Sequence, residues 1–598
     1  MDDTFMADFE STTTEENCHV WAWAVCEVGD PDNLWIGTDI YDFMDWCETR
    51  PENVKVWFHN LKWDSQFIIS WCFQNDFVYA EKPEDRATKT FRAAISDKGL
   101  YYTLEVIFWL KGKNVKKVTF FDSSKLFPNM GVDDVAKAFH MPISKLKIDY
   151  TAHDNLPYGS PLTPEEKEYI INDVQIMANA LYQFKAQGLD KITIGSNALA
   201  EYKKLIGDRT FKRWFPRLKY HDELAQGYKG GVCMLGPGVM DQTIGRGLVL
   251  DKNSMHPWVM KEKPLPYGTP IYYRGEYTPD PLYPLYTQMI RCSFKIKKGK
   301  LPTIQLKHSD YYSGNEYVTD SHDEEITMVL NSVDLQLFME HYEPLNLEYI
   351  GGWKFMAQVG MFDAYIDKWT GIKIQAETEG NFGLRLIAKT MLNSLYGKFG
   401  TSTTRKSKHP EMGDDGKVKY IDADPVAQEG VYVPVASFIT SYAREETLRS
   451  AQRIIDDYNA GKSKIRFLYM DTDSLHIATD DFAIPEGLDI DKYRLGAWKM
   501  ESKFEKAKFL RAKCYIENEI ISEEEYTEGI EGEEKFLYTQ EQDGFRKLKI
   551  TVAGMPSECY PLVNFQNFKV NAEYQGKKQQ KIVPGGVILT SIDFTIKR

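Results

Sequence analysis

Hydrophobic and polar positions change period along the chain, and the changes mark its elements. From Thr4 to Glu10 apolar residues surround two acids, Asp8 and Glu10, at i and i+2, so a strand there carries both on one side. Strand-like and helix-like segments alternate through the first 190 residues, the pattern of an α/β domain. That stretch closes on a well-marked helix. Thr163 suits the N-cap, Pro164 the first helical position, and Glu166 completes a capping box. The helix runs through Tyr169 and Asp173, which share a face at i and i+4, toward Phe184, and Gly188 is its stop signal. A boundary is expected between Gly188 and Ser196.

Farther on, Gly247–Leu250 reads as a strand ending in Asp251, and the residues up to Pro257 turn the chain. Residues 264–284, rich in Pro, Gly and Tyr, read as irregular. A 3.6-residue period returns from Leu384 to Tyr396. Arg385, Lys389, Asn393 and Tyr396 fall within about 80° of one another, and Leu384, Ile387, Ala388, Met391, Leu392 and Leu395 take the rest. Residues 401–428 are polar, with a turn at Gly413–Gly416. From Phe467 to Ile477 two apolar runs flank Asp471 and Asp473, a hairpin with acids at its tip. At i and i+2 both face one side of a strand and can converge on a pair of divalent ions. Eight glutamates between Glu519 and Glu534 suggest an exposed excursion, and Gly586–Leu589 a last strand.

Composition narrows the classes. A length of 598 residues allows several domains. No apolar run approaches the ~18 residues of a membrane span, and the acidic N-terminus lacks the features of a signal peptide. Eight cysteines without a CxxC pair fit buried thiols in a reducing cytoplasm. A net charge of −14 argues on average against a nucleic-acid partner. Two local cationic runs offset it: Lys111, Lys113, Lys116 and Lys117, then Lys503, Lys506, Lys508, Arg511 and Lys513. Either alone reads more readily as a solvated face than as a DNA track.

In combination the polar sites resemble the motifs of family B DNA polymerases. Asp251-x-x-Ser254-Met255-His256-Pro257 is similar to motif A. Lys389-x-x-x-Asn393-Ser394-Leu395-Tyr396-Gly397 is similar to motif B, Tyr469-Met470-Asp471-Thr472-Asp473-Ser474 to motif C, and Lys513-Cys514-Tyr515 to the KxY motif, in the family's order. The resemblance implies catalysis by Asp251, Asp471 and Asp473, with metal on Asp251 and Asp473. Nucleotide contacts would come from Lys252, His256, Lys373, Arg385, Lys389, Asn393 and Tyr396, and DNA contacts from Thr472, Lys513 and Tyr515. Upstream, Asp8, Glu10, Asp64, Tyr169 and Asp173 resemble the Exo motifs of DEDDy-type proofreading domains with an RNase H-like fold. The four acids would hold two metal ions and Tyr169 would orient the attacking water. Asn60, Phe67, Ser123 and Ser124 would contact the frayed strand, and Lys145 the scissile phosphate.

The whole chain resembles the protein-primed family B polymerases of small tailed phages, the phi-twenty-nine type. Tyr228-Lys229-Gly230-Gly231 is similar to their YxGG motif, a DNA contact through Tyr228, Gly230 and Gly231. The 132 residues from Pro257 to Lys389 exceed what a palm-to-fingers link needs. The expected fold is multidomain α/β and α+β: an RNase H-like 3′→5′ exonuclease (1–190), then a right-hand polymerase with two insertions. Its parts would be palm (191–262 and 431–545), TPR1 (263–360), fingers (361–400), TPR2 (401–430), and thumb with C-terminus (546–598). The resemblance implies two Mg2+ per site, with Mn2+ as a substitute, and primer-template DNA, single-stranded DNA, dNTPs and a terminal protein as partners. It also implies a monomer in the host bacterial cytoplasm, processive and strand-displacing. His256 departs from the family's usual Tyr, which packs under the deoxyribose. Rival readings are an oligonucleotide-primed polymerase, a nuclease on an inactive polymerase scaffold, and a non-catalytic DNA-binding factor.

Overall fold

The computed structural model describes residues 4–306, 317–531 and 536–597. Two large sheets organise them, and each carries one acid set. In the first, strand Thr4–Ser11 lies between Val54–Phe58, parallel to it, and Val20–Glu27, antiparallel. The order continues through Asn114–Asp122, Tyr101–Lys111 and Thr90–Ser96. Strand Thr4–Ser11 is buried along nearly its whole length, as a strand covered on both faces must be. One cover is the helix Pro164–Ala186. Its capping box forms: Glu166 N–H donates to Thr163 Oγ1 at 3.2 Å and Thr163 N–H to Glu166 Oε2 at 2.8 Å. Gly188 follows at φ 75°, a left-handed position natural to glycine. Tyr169, Ile170, Val174, Met177, Leu181 and Phe184 are buried along it, each contributing roughly 1.5–3 kcal/mol of apolar transfer.

In the second sheet, strand Gly247–Lys252 lies between Ser474–Ala478 and Trp498–Arg511, antiparallel to both. Ser474–Ala478 turns back on Arg466–Asp471 as the expected hairpin. The long helix Val433–Asn459 packs on this sheet, and helices Asp363–Thr378 and Phe382–Phe399 pack on each other. The two-faced helix buries Ile387, Ala388, Met391, Leu392 and Leu395, as its period requires.

The stretch 264–284 is more ordered than its composition suggests. Leu265–Arg274 is a strand, paired with Tyr342–Gln358, and an irregularity between Tyr267 and Ile271 absorbs Gly268 and Pro270. With Leu285–Ile296, Ile326–Asn331 and helix Ser332–His341 it builds a separate four-stranded unit. The polar segment 401–428 is not a free loop either. Ser407–Met412 and Val418–Asp422 form a hairpin that extends the first sheet, pairing Ser407 with Ser96 and Lys408 with Ile95. Val418 is buried in that sheet's core, and Tyr420 donates to Gln66 Oε1 at 2.7 Å. The C-terminal hairpin Glu573–Val583/Gly586–Thr595 reaches the same core through Val587. The glutamate-rich excursion begins inside a strand: Glu519 is buried and paired with Lys549 at 3.1 Å. Helix Glu523–Glu531 follows, and 532–535 lie outside the described residues. In the first cationic run Lys116 is buried and bonds the Arg50 and Glu52 carbonyls at 2.6 Å each.

Candidate active sites

The first site lies where strand Thr4–Ser11 meets helix Pro164–Ala186. Carboxylate oxygens of Asp8, Glu10 and Asp173 lie within 4.8 Å of one another. Asp64, buried in the first turn of helix Leu61–Gln74, faces the same charges. Burial first and then repulsion from nearby carboxylates raise the pKa of all four acids, Asp8 to about 7. Asp64 Oδ1 and Asp173 Oδ1 are buried without a hydrogen-bond partner. Crowded carboxylates with orphaned oxygens fit a polyvalent cation, which would supply the missing positive charge. Lys145 pairs with Asp173 and lies 5.1 Å from the Tyr169 ring centroid. Burial and the facing carboxylates of Glu10 and Asp173 push the Tyr169 phenol up, so it stays protonated, and its oxygen is 3.0 Å from that of Tyr150.

The expected single-strand contacts divide. Asn60, at φ 69°, opens helix Leu61–Gln74 with its N–H on Asp122 Oδ1 at 3.1 Å, and Ser124 is half-buried beside it. Two assignments need correction. Ser123 is fully buried: its hydroxyl donates to the Phe58 carbonyl at 3.1 Å and lies 3.0 Å from His59 Nδ1. Phe67 is 2 % exposed and packs against Gly586 of the C-terminal hairpin, so its ring is not offered to a strand. Trp63, next to Asp64 and half-buried, is the aromatic on that helical turn with exposed surface.

The second site gathers at the hairpin tip. Asp251 is cross-strand from Ser474, which also pairs with Asp471. The i, i+2 expectation fails locally. Thr472 adopts φ 55° and Asp473 N–H donates to Asp471 O at 2.6 Å, so Asp473 belongs to a tight turn rather than to the strand. The two acids therefore take different partners. Asp471 bonds Lys513 Nζ at 2.8 and 3.0 Å and accepts from Tyr469 Oη at 3.2 Å. Among the described residues Asp473 has no salt-bridge partner; burial first and then Asp251 push its pKa up to about 6. Asp251 is also raised by burial, against the opposing pull of Lys499, whose Nζ is 3.0 Å away.

Facing this pair is a cluster of cations. Lys373 is depressed by burial and then by Arg385, Lys389 and Lys499. Arg385 meets one carboxylate, Glu377, at 3.4 Å. Such a concentration of positive charge suits a polyanion. Asn393 is exposed on the same helix, and Tyr396 stacks on His256 with centroids 4.3 Å apart. Burial lowers the His256 pKa to about 4, so the imidazole is neutral. Gly231 packs on Thr472, where a Cβ would come within 2.5 Å of Oγ1, and Tyr228 packs on Gly400. The carbonyls of Lys229 and Gly230 accept from the buried Arg444, which also pairs with Asp334 at 2.6 Å.

Two further assignments change. Lys252 is 3 % exposed and turned away from the cation cluster, its Nζ on Glu446 at 2.6 Å, so the side chain is not a nucleotide contact. Tyr515 is 7 % exposed, stacked on Phe509 and tilted against Tyr469, so most of its ring is spent on packing beside the turn that carries Lys513. Lys499, Arg444 and Glu446 are the polar partners that sequence reading missed. Lys499 becomes visible only once Asp251 is known to pair with it across the sheet.

Among the described residues no helix is long and apolar enough to cross a membrane. The family model for DNA polymerase type B, organellar and viral, matches residues 157–483. The DNA polymerase of Bacillus phage phi29 is 38 % identical over 600 residues, 99 % of each chain. That of Bacillus phage M2 is 38 % identical over 598 residues, again 99 % of each. That of Streptococcus phage Cp-1 is 31 % identical over 99 % of this chain and 98 % of its own. Among solved structures, the phi29 DNA polymerase complexed with primer-template DNA and incoming nucleotide substrates superposes with a TM-score of 0.90. It is 37 % identical, with full coverage of both chains. The same polymerase complexed with single-stranded DNA gives 0.88 at 36 % identity, also with full coverage.

Proposed function

Because the chain belongs to the family B DNA polymerases of the phi29 type, we propose that its two acid sets divide the family's two reactions between the two sheets. The protein is a DNA-directed DNA polymerase with a 3′→5′ proofreading exonuclease. It acts on primer-template and single-stranded DNA, takes dNTPs, and depends on metal ions.

In polymerisation, Asp251 and Asp473 would hold the metal, Mg2+ with Mn2+ as a substitute, which would supply Lewis-acid charge. Lys373, Arg385 and Lys389 neutralise the triphosphate, while Asn393, Tyr396 and His256 border the base and sugar. Lys513, held by Asp471, and the turn at Thr472 steady the primer end, with Tyr228, Gly230 and Gly231 lining the approach. The primer 3′-oxygen attacks in line and pyrophosphate leaves; catalysis is mostly positioning and charge stabilisation. In proofreading, Asp8, Glu10, Asp64 and Asp173 form the metal-binding set, Tyr169 orients the water, Lys145 meets the scissile phosphate, and Asn60 and Ser124 hold the strand.

The observation that carries this division is that Asp251 and Asp473 face a cluster of four cations, Lys373, Arg385, Lys389 and Lys499, while among the described residues Lys145 is the cation acting on the exonuclease acids. A terminal protein as primer, a monomeric state, work in the host cytoplasm and strand displacement extend the same reading. Primer extension with and without dNTPs, on linear templates with and without a terminal protein from the same genome, tests it. Retained extension in Asp473→Ala would overturn the assignment.

A further inference from the structure

The residue after Asp251 is bolted to four separate elements. Its backbone N–H donates to the Asp473 carbonyl at 2.8 Å, linking the two metal-binding acids through the main chain. Its side chain runs in the opposite direction, into a closed cage. Nζ of Lys252 is 2.6 Å from Glu446 Oε1, 4.8 Å from the Trp258 ring centroid and 5.0 Å from that of Trp498. These three groups come from different places: Glu446 from helix Val433–Asn459, Trp258 from helix Met255–Glu262, and Trp498 from the strand directly opposite Lys252. The cage is itself pinned, because Gly496 N–H donates to the Asn253 carbonyl at 2.8 Å and Asn253 N–H to the Ala497 carbonyl at 2.9 Å. A Cβ on Gly496 would meet the Trp258 ring at 2.2 Å, so that turn lies flat against the indole.

A buried lysine is costly unless it is paired and its hydrogens are used. Here the Glu446 carboxylate and two aromatic faces surround the ammonium, with the Asp489 charge also within reach, and cation–π attraction strengthens where water is excluded. Truncating it would leave Glu446 without its partner and a void between two indoles. The strand bearing Asp251 could then shift relative to the turn bearing Asp473.

We propose that Lys252 is a positioning residue of the polymerase site: its cage with Glu446, Trp258 and Trp498 sets the spacing of Asp251 and Asp473, and so the affinity of the paired metal ions. Lys252 touches neither nucleotide nor metal through its side chain. The proposal rests on the reading of Asp251 and Asp473 as the metal-binding acids.

The test uses the full-length enzyme with Lys252→Met, which keeps most of the volume and removes the charge, and Glu446→Gln as a second entry into the same cage. Single-turnover extension is measured against Mg2+ and against dNTP. The expected result is a kcat lowered on the order of 10-fold and a Mg2+ requirement raised by a similar factor, with KM for dNTP nearly unchanged. The exonuclease of the same molecules, whose acids lie in the other sheet, serves as the internal control and should keep its Mg2+ dependence. Independently of turnover, electron paramagnetic resonance counts the extra Mn2+ taken up when dNTP is added to enzyme on a non-extendable primer-template; that uptake should weaken in both variants. Lys252→Arg should restore part of it. A raised KM for dNTP with unchanged kcat would make Lys252 a nucleotide contact and overturn the proposal. A lowered melting temperature with unchanged Mg2+ and Mn2+ dependence would reduce the cage to a stability device. Asp473→Ala run alongside separates a failure of the metal assignment itself, because in that case Asp473→Ala would retain dNTP-dependent Mn2+ uptake.

Discussion

The imidazole of His256 lies flat on the phenol ring of Tyr396, centroids 4.3 Å apart and planes 3° from parallel. Among the described residues its ring nitrogens have no hydrogen-bond partner, and burial alone lowers its pKa. His256 is therefore a neutral slab, smaller than a tyrosine and with a polar edge. His256→Tyr should raise selectivity for dNTP over rNTP, by roughly 10-fold on the scale of a small steric difference in a pocket. The ratio of kcat/KM for dATP and ATP, wild type against variant, checks it. Equal ratios would move the sugar gate elsewhere, Tyr396 being the nearest candidate.

The same residue sets a pH dependence of stability. Its pKa is about 4 when folded and ~6.5 when unfolded. Below the unfolded value the unfolded chain binds the proton and the folded chain does not, so stability falls as pH drops from ~6.5 toward 4. His256→Phe should flatten that part of the acid limb in denaturant titrations and leave the curve above pH 7 in place. An unchanged acid limb in the variant would show that the imidazole is already charged when folded.

Asp473→Ala should remove nucleotide addition by ~10³-fold or more, the order expected for losing several kcal/mol of metal-borne charge stabilisation. Mononucleotide release from a labelled single strand should continue. Asp8→Ala with Glu10→Ala should do the reverse and raise misincorporation. The two acid sets are built around different sheets, so each loss should leave the other reaction standing. Loss of both activities in either variant would mean that the sites share a component.

The acids are legible in the sequence because their chemistry dictates local placement: two carboxylates on one strand, one at a strand end, one on a capped helical face. The helix Pro164–Ala186 is legible to its caps for the same reason, since each capping group acts within four residues. What fails is everything decided by distant partners. The resemblance makes Lys252 a nucleotide contact until Glu446 and Trp498 arrive from far along the chain, and Ser123 a strand contact until His59 and the Phe58 carbonyl claim its hydroxyl. The hairpin at 407–422 carries a turn signal but nothing that announces Ser96 and Ile95 as its neighbours. The tight turn that takes Asp473 out of the strand comes from one left-handed residue, Thr472, which a period-2 reading does not anticipate.

That hairpin alters what deleting the 401–428 segment should do. Shorter products per binding event are expected if it helps close a ring on DNA. Deletion also uncovers the exonuclease core at Val418 and removes the Tyr420–Gln66 hydrogen bond. A large-to-small change at one such position costs about 2–5 kcal/mol, so the first unfolding transition should shift to lower temperature. Tyr420→Phe, which removes only the hydroxyl, should cost about 1 kcal/mol and leave product length in a DNA trap unchanged. Full-length products from the deleted chain under trap conditions would refute the processivity role and leave only the structural one.

Arg444 joins three parts of the polymerase half. It is 5 % exposed, pairs with Asp334 at the start of helix Ser332–His341, and donates to the carbonyls of Lys229 and Gly230. Arg444→Met leaves Asp334 a buried, unpaired charge and frees the glycine loop that rests on Thr472, so the single change should cost about 3–5 kcal/mol. Asp334→Asn alone should cost less, because the amide still bonds Ser441 and the guanidinium keeps two carbonyls. The double variant separates the terms. If the ion pair matters chiefly as mutual neutralisation, Arg444→Met with Asp334→Asn should be more stable than Arg444→Met alone, a coupling measurable by denaturant titration. Primer extension should nonetheless stay impaired in the double variant, because neither new side chain can hold Lys229 and Gly230. Recovery of both stability and extension would show that the loop needs no anchor and that Arg444 serves only to neutralise Asp334.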